Sequence, residues 1–301
     1  MREPCVLLFG ATGMLGREIA SACRRRGVPL VTGAGRRDCD ITNLRDVRDV
    51  LDELRPTMVI NAAGYTDIDG AETDFESALE TNGIGVGHLA HACRSTGALL
   101  VHFSTDLVFS GDAGRRYHPS DEPDPINSYG LSKLAGEQAI LASGCEYLII
   151  RSGWLYAPHG RNFVRFMLHA ARQRDILNMV DDQYGQPTSC ADLAVMTLRL
   201  IAAAARRTER KPMRGVYHAA NGGACTWCDF ARAIVKMAGI ACEVHPCSTS
   251  AALRPAPRPH DCVLDLSETS LLIGPPRHWR DALRECVEQI ESRRLVTSDV
   301  R

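Results

Sequence analysis

The sequence predicts an α/β fold of the Rossmann type, a doubly wound parallel sheet accompanied by a smaller C-terminal part. Three observations support this prediction. Through residues 1–150, short apolar runs alternate with amphipathic stretches of helical period. The first apolar run leads directly into a glycine-rich turn and then a helix. After Arg151, prolines and loops become frequent, which indicates a less regular second part.

Five runs in the first half are predicted as strands, at residues 4–9, 28–32, 57–61, 98–103 and 147–150. Because these runs lack polar alternation, we expect both of their faces to be buried, as in parallel sheets. Four stretches between the strands are predicted as helices, at residues 15–26, 43–54, 75–94 and 129–142. This alternation implies parallel βαβ units with helices on both faces of the sheet.

The second half carries four predicted helices, at residues 163–172, 192–205, 227–238 and 279–291. We expect residues 1–150 to form the Rossmann domain, rejoined by about residues 188–220. The other segments, residues 151–187 and 221–301, are predicted to form the smaller, substrate-binding part. Ligands of open α/β sheets bind outside the carboxyl ends of the strands, so this part is placed to close over one.

Composition excludes several classes of partner. The 301 residues carry a formal net charge of −1, so nothing attracts the chain to nucleic acid or to acidic membranes. No apolar run approaches the roughly 18 residues that a bilayer span requires. The apolar run before Gly10 is too short for a secretory signal. We therefore expect a cytoplasmic protein that binds neither nucleic acid nor membrane.

The chain has 12 cysteines, scattered mostly through apolar runs where a thiol behaves as a small hydrophobe. A disulfide framework is not expected in a chain of this length without an export signal. Cys225 and Cys228 have the spacing of a metal or redox pair, but Cys242 and Cys247 are too loosely spaced to complete a zinc site. Because Thr226 between the first two suits a helix N-cap, we predict packing and no metal.

The loop of residues 10–16 (GATGMLG) joins the first strand to the first helix. Gly10, Gly13 and Gly16 would allow a tight turn, close approach of backbone to a pyrophosphate, and close packing of the helix. The N-terminus of the helix would present unpaired N–H groups to the phosphates. A glycine triplet alone is a weak signal, but its place between a buried strand and an amphipathic helix predicts a dinucleotide site.

The end of the second strand bears on the choice of dinucleotide. A carboxylate there would hydrogen-bond the ribose and repel a 2′-phosphate, yet the first carboxylate is Asp38. Arg36 and Arg37 precede it and could pair with a 2′-phosphate, which favours NADPH. If both arginines face water instead, NADH remains the alternative. Asp40 and Ile41 just beyond would suit an adenine edge.

Tyr129 and Lys133 lie four residues apart on a predicted helix and therefore on one face. Such a pair suits reduction of a ketone, because the alkoxide formed by hydride transfer must receive a proton. A free phenol has a pKa of about 10 and gives up its proton reluctantly. The charge of Lys133 would stabilise the phenolate and lower the pKa of Tyr129.

The fourth strand ends in residues 104–109 (STDLVF), at the edge where a doubly wound fold places its active site. The Thr105 hydroxyl could hydrogen-bond a ketone oxygen next to Tyr129, and Asp106 could hold a sugar hydroxyl. The third strand ends in residues 61–64 (NAAG), whose small side chains leave room for a cofactor.

With these motifs, the chain resembles the dTDP-4-dehydrorhamnose reductase family of extended short-chain dehydrogenases/reductases over nearly its whole length. The resemblance rests on residues 10–16, 61–72, 104–109, 151–156, 162–164, 182–188 and 254–259 together with Tyr129 and Lys133. Three segments carry most of its specificity, because other extended reductases keep only the glycine loop and the Tyr/Lys pair. These are residues 66–72 (TDIDGAE), 182–188 (DQYGQPT) and 254–259 (RPAPRP).

The resemblance implies roles for particular residues. Together with the motifs, it predicts cofactor contacts at Gly10, Gly13, Met14, Leu15, Gly16, Arg36, Arg37, Asp40, Ile41, Ala62, Ala63, Gly64, Tyr65, Thr66, Tyr129 and Lys133. It implies catalysis by Tyr129, Lys133 and Thr105. It implies sugar contacts at Thr105, Asp106, Trp154 and Ile68.

The chain also departs from the family pattern. Some members bind magnesium at a dimer interface through glutamates, so the resemblance allows a homodimer. Glu18 matches one such position, but Ala191 stands where another carboxylate would be, and we predict no metal. Gly153 occupies a position where serine or threonine is common, which bears on the detail of the substrate site.

The resemblance implies NAD(P)H-dependent reduction of the C4 keto group of dTDP-4-dehydro-L-rhamnose to dTDP-L-rhamnose. One alternative is a reductase for another dTDP-4-keto-deoxysugar, such as one in an antibiotic pathway. A second alternative is a non-catalytic subunit of the same fold, such as the regulatory subunit of methionine adenosyltransferase, because fold does not fix function.

Overall fold

The computed structural model describes residues 5–34, 39–207 and 214–298. The strands, in chain order, are β1 (Val6–Phe9), β2 (Leu30–Ala34), β3 (Met58–Asn61), β4 (Leu99–Thr105), β5 (Glu146–Ser152), β6 (Leu155–Tyr156), β7 (Ile176–Val180), β8 (Tyr184–Gly185), β9 (Thr188–Ser189), β10 (Arg214–His218), β11 (Cys225–Thr226) and β12 (Glu243–Cys247).

The helices are α1 (Met14–Arg25), α2 (Leu44–Leu54), α3 (Gly70–Thr73), α4 (Phe75–Leu79), α5 (Gly85–Thr96), α6 (Ser128–Ser143), α7 (Phe163–Ala171), α8 (Cys190–Arg207), α9 (Trp227–Met237), α10 (Ser267–Ile273) and α11 (Trp279–Ser298). A π-helical turn spans Glu80–Ile84, and 3₁₀ turns span Asp106–Val108 and Thr249–Ala251.

Six parallel strands form the central sheet, in the order β10-β5-β4-β3-β1-β2. From β1 the chain first adds β2 on one side and then β3 on the other side of β1, so the direction of strand addition reverses there. β1 and β3 pair in register from Val6 opposite Met58 to Phe9 opposite Asn61. In doubly wound sheets such a reversal opens a crevice at the carboxyl ends of the two strands. The predicted fold class is confirmed.

Alternate residues of the buried strands face opposite layers of helices. Val6 and Leu8 pack in one hydrophobic cluster with residues of α1 and α8, whereas Leu7 and Phe9 pack in a second with residues of α2 and α5. Both clusters bury their members almost completely, as predicted for strands without polar alternation. The sheet therefore sits in the middle of a three-layer sandwich.

A third hydrophobic cluster lies outside the sheet. It gathers residues of α7, α9 and α11 around the fully buried side chains of Tyr156, Phe230 and Trp279. The parallel pair β7–β12 lies at its edge, through Leu177 and Val244. By contrast, α8 packs on α1, and β10 extends the central sheet beside β5.

Two elements of the first half differ most from those predicted, and in the second half α11 runs to Ser298, beyond the helix predicted at residues 279–291. The helix predicted at residues 75–94 is divided into α4, the π-helical turn and α5. The wider turn places Asn82 inside, where it binds backbone and Ser132, and apolar periodicity does not report such a bond. The second strand begins at Leu30 and ends at Ala34, two residues later at each end than predicted.

The described cysteines are free thiols, most of them buried. Thr226 caps α9 by accepting a hydrogen bond from the backbone N–H of Asp229, as predicted. Burial raises the pKa of both the Cys225 and the Cys228 thiol. Within residues 5–34, 39–207 and 214–298, no helix is long and apolar enough to cross a membrane.

Candidate active site

The glycine loop follows β1 and is packed against the start of the segment after β3. Gly10 has φ +72°, and a Cβ on it would lie 2.5 Å from the carbonyl carbon of Ala62. A Cβ on Gly16 would lie 2.1 Å from the carbonyl oxygen of Gly10. Any side chain at these two positions would push the loop away from the sheet, so their glycines are required by close approach.

The N-terminus of α1 has no internal acceptor for its first N–H groups. Its N-cap is Gly13, which offers no side-chain oxygen, and its first turn carries no acidic residue. Leu15 buries its side chain in the core, which leaves its backbone facing the turn. Such an end is suited to an anion, because N–H groups and the helix dipole both favour negative charge.

The next predicted contacts lie beside this loop. Arg36 and Arg37 fall outside the described residues. The Asp40 carboxylate accepts hydrogen bonds from the Thr42 backbone and hydroxyl at 3.0 and 2.9 Å. Ile41 is buried against the start of α5, where a Cβ on Gly85 would lie 3.0 Å from its side chain. Asp40 and Ile41 therefore lie in a turn, held by hydrogen bonds to Thr42 and by packing on α5, that follows residues 35–38 in the sequence.

The segment after β3 is held by two asparagines. Asn61 Oδ1 accepts from the Ala63 N–H at 3.0 Å. Asn82 clamps Tyr65, accepting from its N–H at 2.9 Å and donating to its carbonyl oxygen at 3.0 Å. A Cβ on Gly64 would lie 3.1 Å from the same Asn82 oxygen. Residues 62–64 thus form a fixed wall of small residues beside the glycine loop, and Tyr65 is held in place next to them.

The most family-specific segments meet in space. Asp69 of the TDIDGAE segment, one residue after Ile68, accepts from the Arg258 guanidinium at 2.9 Å and from the Ala256 N–H at 3.3 Å. Glu72 accepts from the backbone and hydroxyl of Ser128, next to Tyr129, at 2.8 and 3.0 Å. These contacts tie residues 66–72 to the RPAPRP segment on one side and to the start of α6 on the other.

Tyr129 and Lys133 lie in the first turns of α6, which Asn127 caps by accepting from the Gly130 N–H. Lys133 Nζ donates to the Phe103 carbonyl oxygen at 2.7 Å and lies 3.4 Å from His102 Nε2. Burial lowers the pKa of Lys133 to about 8. The pair expected from the sequence is therefore present on one helix, directly behind the end of β4.

The pKa of Tyr129 differs in direction from the sequence expectation. Burial raises it, the nearby Asp106 raises it further, and a hydrogen bond with Thr105 lowers it. Lys133 does not offset this rise, because its amine is engaged by Phe103 and His102 behind the phenol. The sequence shows which groups are neighbours on a helix but not where a long side chain ends.

Thr105 and Asp106 are hydrogen-bonded to each other at the end of β4, beside the Tyr129 phenol. The Thr105 hydroxyl donates to Asp106 Oδ1 at 3.0 Å and accepts from the Leu107 N–H at 3.1 Å. Asp106 is 4% exposed, and burial raises its pKa to about 7, against the opposing effect of the Thr105 hydrogen bond. A Cβ on Gly153 would lie 2.0 Å from Asp106 Oδ2, so the glycine makes room for this carboxyl group.

Trp154 stands at the open side of the site in a strained conformation. Its φ is +50°, which is rare for a bulky residue and often marks a functional position. Its indole stacks on that of Trp227, with ring centroids 3.6 Å apart and planes at 8°. A Cβ on Gly185 would lie 2.3 Å from the Trp154 ring, so the DQYGQPT segment also supports the indole.

Three site residues were not predicted from the sequence: Asn82, His102 and Trp227. Asn82 sits in a stretch of helical period, and His102 is one polar residue in an apolar strand, so neither pattern signals a contact. Trp227 begins a helix and reads as core. Only for His102 was a signal available, because a buried imidazole requires partners that the neighbouring apolar residues cannot supply.

Glu18, which the resemblance linked to a metal in some relatives, lies 2.9 Å from His159 Nε2 through its Oε1. Both side chains are more than four-fifths buried. Ala191 is near the same surface as Glu18 and contributes no ligand atom. Over the described ranges, no group of three or more histidine, cysteine or acidic residues is arranged to hold a metal ion.

Comparison with known proteins adds to this geometry. Residues 4–292 match the family described as RmlD substrate binding domain. A dTDP-4-dehydrorhamnose reductase of Streptomyces griseus is 43% identical over 290 residues, which cover 94% of this chain and 93% of that protein. A dTDP-4-keto-6-deoxy-D-glucose reductase of Streptomyces niveus is 39% identical, with 93% and 95% covered. The crystal structure of a dTDP-4-dehydrorhamnose reductase from Bacillus anthracis in complex with NADP has a TM-score of 0.87 and 34% identity, covering 97% of this chain and 100% of that one.

Proposed function

The chain belongs to the dTDP-4-dehydrorhamnose reductase family, an NAD(P)H-dependent class of oxidoreductases, and from this premise we propose its reaction and substrate. It reduces the C4 keto group of dTDP-4-dehydro-L-rhamnose to give dTDP-L-rhamnose, with NADPH as hydride donor. The observation that carries the proposal is the placement of the bonded pair Thr105 and Asp106 at the end of β4, beside Tyr129 of α6 and two strands from the glycine loop.

The residues around the loop fit a dinucleotide. Gly10 and Gly16 form a cradle that a Cβ would fill, and the uncapped start of α1 faces it. Met14 and Leu15 would hold the pyrophosphate through backbone N–H groups, and Gly13, whose own N–H donates to the Gly10 carbonyl oxygen at 3.0 Å, would allow its close approach. The remaining contacts would come from Asp40, Ile41 and residues 62–66, with Lys133 and Tyr129 at the nicotinamide ribose. When bound, the nicotinamide supplies a hydride to C4 of the sugar.

The preference for NADPH over NADH rests on two supports. The related enzyme from Bacillus anthracis was crystallised with NADP. Arg36 and Arg37 follow the second strand in the sequence, in a segment outside the described residues, and could pair with a 2′-phosphate. NADH remains usable in this proposal, because the pyrophosphate cradle serves both dinucleotides alike.

The protein's own residues complete the reduction. The Tyr129 hydroxyl donates its proton to the ketone oxygen as hydride reaches C4, and Thr105 turns its single hydroxyl hydrogen from Asp106 to hold that oxygen by a hydrogen bond. The ketone thereby gains one hydride and one proton, and Tyr129 is left as phenolate. The ammonium form of Lys133, four residues further along α6, would stabilise this phenolate during the reaction.

Sugar recognition is assigned to the residues on the open side of the same site. Trp154, braced on Trp227, offers a flat apolar wall to the deoxysugar with an indole N–H left to donate. Ile68 would line the same pocket next to Asp69. Asp106 would hold a sugar hydroxyl, which requires it to share the oxygen now bound by Thr105 or to use its second one.

Turnover of the named substrate is the direct test. We expect NADPH oxidation with enzymatically prepared dTDP-4-dehydrorhamnose, and the appearance of dTDP-L-rhamnose by chromatography and NMR. Absence of turnover by a folded protein that binds NADPH would refute the proposed reaction. NADH is run in parallel at matched concentration, and an equal kcat/KM for both would refute the cofactor preference.

A second substrate is favoured by one comparison. The Streptomyces niveus relative is named for a dTDP-4-keto-6-deoxy-D-glucose substrate and is nearly as similar as the first relative. The two sugars differ in stereochemistry, which a few ångströms of pose can decide. The assay therefore includes both keto sugars, and the higher kcat/KM identifies the substrate.

Three wider assignments complete the proposal. Residues 1–150 with about 188–220 form the dinucleotide-binding unit, and residues 151–187 and 221–301 form the substrate-binding part, in keeping with the separate hydrophobic cluster around Trp279. The chain acts in the cytoplasm. It forms a homodimer, which light scattering of the purified protein would test.

A further inference from the structure

Behind the proposed catalytic lysine lies a buried row of polar groups that the reaction does not use directly. It runs from the backbone N–H of Ala63 to Asn61 Oδ1 (3.0 Å), from Asn61 Nδ2 to His102 Nδ1 (3.2 Å), and from His102 Nε2 to Lys133 Nζ (3.4 Å). Asn61 is 1%, His102 0% and Lys133 5% exposed, so bulk water cannot supply alternative partners to this row.

The direction of every hydrogen bond in the row follows from its first member. A backbone N–H can only donate, so the Asn61 atom facing Ala63 must be the oxygen. The Asn61 amino group then faces His102 Nδ1 and donates to it, which makes Nδ1 an acceptor. A neutral imidazole with Nδ1 as acceptor carries its proton on Nε2. The Nε2–H therefore points at Lys133.

His102 stays neutral in this setting. Burial and the adjacent Lys133 hold the pKa of His102 well below its usual range. A second proton on the ring would also place an N–H against the Asn61 amino group. The tautomer with hydrogen on Nε2 is therefore the one that satisfies Asn61 and Ala63 together.

Lys133 meets one acceptor and one donor. The Phe103 carbonyl oxygen accepts from its Nζ at 2.7 Å, whereas His102 presents an N–H to the same nitrogen. An ammonium group has three hydrogens and no lone pair, so it cannot accept this N–H. A neutral amine can accept it. The His102 side of Lys133 thus favours the amine over the ammonium.

Other charged groups near Lys133 do not reverse this preference. Glu137, one turn further along α6, favours the ammonium, but both of its oxygens bind the Arg151 guanidinium at 2.7 and 3.0 Å. On the opposite side, Asp106 is bound to Thr105 and lies beside the neutral phenol of Tyr129. These are the titratable groups that α6, β4 and β5 direct toward the lysine.

We propose that Asn61 and His102 are positioning residues that set the protonation of Lys133, by fixing the imidazole tautomer whose N–H opposes the ammonium form. The inference rests on the proposed role of Lys133 in stabilising the Tyr129 phenolate. As pH rises, Lys133 loses its proton and that stabilisation is lost. This happens at a lower pH than it would for a lysine with an ordinary pKa. The network of Asn61, His102 and Lys133 thereby sets the pH above which the reductase loses activity.

The protonation of Lys133 can be observed directly because the chain has three lysines, Lys133, Lys211 and Lys236. Lysine labelled with ¹³C at Cε gives three signals whose shifts titrate with the amine, and Lys133→Arg identifies the signal of interest. The ¹⁵N shifts of the His102 ring, assigned with His102→Gln, report the tautomer. We expect a neutral ring that carries its hydrogen on Nε2, throughout the pH range in which the protein stays folded.

Two replacements of Asn61 test the cause. Asn61→Leu removes the donor to Nδ1 at similar size, and Asn61→Asp supplies an acceptor that draws the ring proton to Nδ1. In both variants His102 Nε2 can then accept a hydrogen bond from the ammonium form of Lys133. The pKa of Lys133 should therefore rise by about 1 pH unit or more, which is a tenfold change in the ratio of ammonium to amine. The alkaline limb of kcat should move by the same interval in each variant.

Ser104→Ala is the matched control. Ser104 lies two residues beyond His102 on β4, and its buried hydroxyl has no hydrogen-bond partner among the described residues. We expect the Lys133 titration of this variant to match the unaltered protein. An Nδ1–H tautomer in the unaltered protein, or an unchanged Lys133 titration in Asn61→Leu, would overturn the inference. Neither result depends on turnover, so failure of the proposed reaction is recognised separately.

Discussion

At the scale of single residues, the site is defined by groups whose protonation is displaced by burial. Lys133 has a lowered pKa, whereas Tyr129 and Asp106 have raised ones. Burial favours the uncharged form of each, so all three tend toward neutrality in the same small volume. Clusters of this kind are found preferentially at functional sites.

Tyr129→Phe tests the proton donor. The substitution removes one hydroxyl and keeps the ring that fills the start of α6. We expect turnover to fall by roughly 100-fold or more, the range for loss of a general acid, with NADPH affinity nearly unchanged. Steady-state kinetics and a fluorescence titration of NADPH measure the two. Near-normal turnover in the folded variant would remove Tyr129 from the mechanism.

Asp106→Asn tests the buried carboxyl group through stability. The native state holds this proton up to a pKa of about 7, whereas an unfolded chain releases it at about 4. Between these values the folded state binds more protons, so the free energy of unfolding falls as pH rises. We expect the stability of the unaltered protein relative to Asp106→Asn to decline from pH 4 to pH 7, by at most about 4 kcal/mol. Urea unfolding at several pH values measures it, and a constant difference would contradict the raised pKa.

At the scale of elements, the sequence predicted those helices and strands whose cause lies in residues close together in the chain. The strands were visible because a parallel strand buries both faces, and the start of α9 was visible from its cap, Thr226. The π-helical turn was not visible, because its cause is the long-range bond of Asn82 to Ser132. The stacking of Trp154 on Trp227 also joins residues far apart in the chain, and no local pattern encodes it.

Gly136→Ala tests the close packing of α6 on the π-helical turn. A Cβ at position 136 would lie 2.2 Å from the Asn82 carbonyl oxygen, so the turn must shift. We expect a loss of about 1–3 kcal/mol in unfolding free energy and weaker NADPH binding as the Tyr65 clamp moves. Thermal unfolding and cofactor titration measure both effects.

Gly87→Ala is the matched control on the facing helix. Its Cβ would make an ordinary contact, 3.5 Å from the Ala139 Cβ. Alanine is favoured over glycine within helices by about 1 kcal/mol, so this variant should be as stable as the unaltered protein or more so. Equal destabilisation by both alanines would show that the helix interface, not the approach to Asn82, is sensitive.

At the scale of the whole molecule, Arg151 connects the central sheet to elements that are far from it in the chain. At the end of β5 it forms a bidentate pair with Glu137 of α6, donates to the Pro119 carbonyl oxygen at 3.1 Å, and lies 5.0 Å over the Phe109 ring. Its side chain is 4% exposed and that of Glu137 is 1% exposed.

Arg151→Met tests this connector. Removing one partner leaves Glu137 charged and buried without its counter-ion, which typically costs about 3–5 kcal/mol. The double variant Arg151→Met/Glu137→Met removes both charges and should recover most of that loss. Urea unfolding of the single and double variants decides the matter. A double variant as unstable as the single one would mean that packing, not the unpaired charge, is responsible.

The stacked indoles of Trp154 and Trp227 also give the protein an optical signature. Two indoles this close, stacked with their planes nearly parallel, couple their electronic transitions, so circular dichroism should show an exciton couplet from the pair. Trp279, the third tryptophan, is buried in the outer cluster and should not contribute. We expect the couplet to vanish in Trp227→Phe and to persist in Trp279→Phe. Because a bound sugar would lie against the same indole, changes in the couplet would follow occupancy of the site without any added dye.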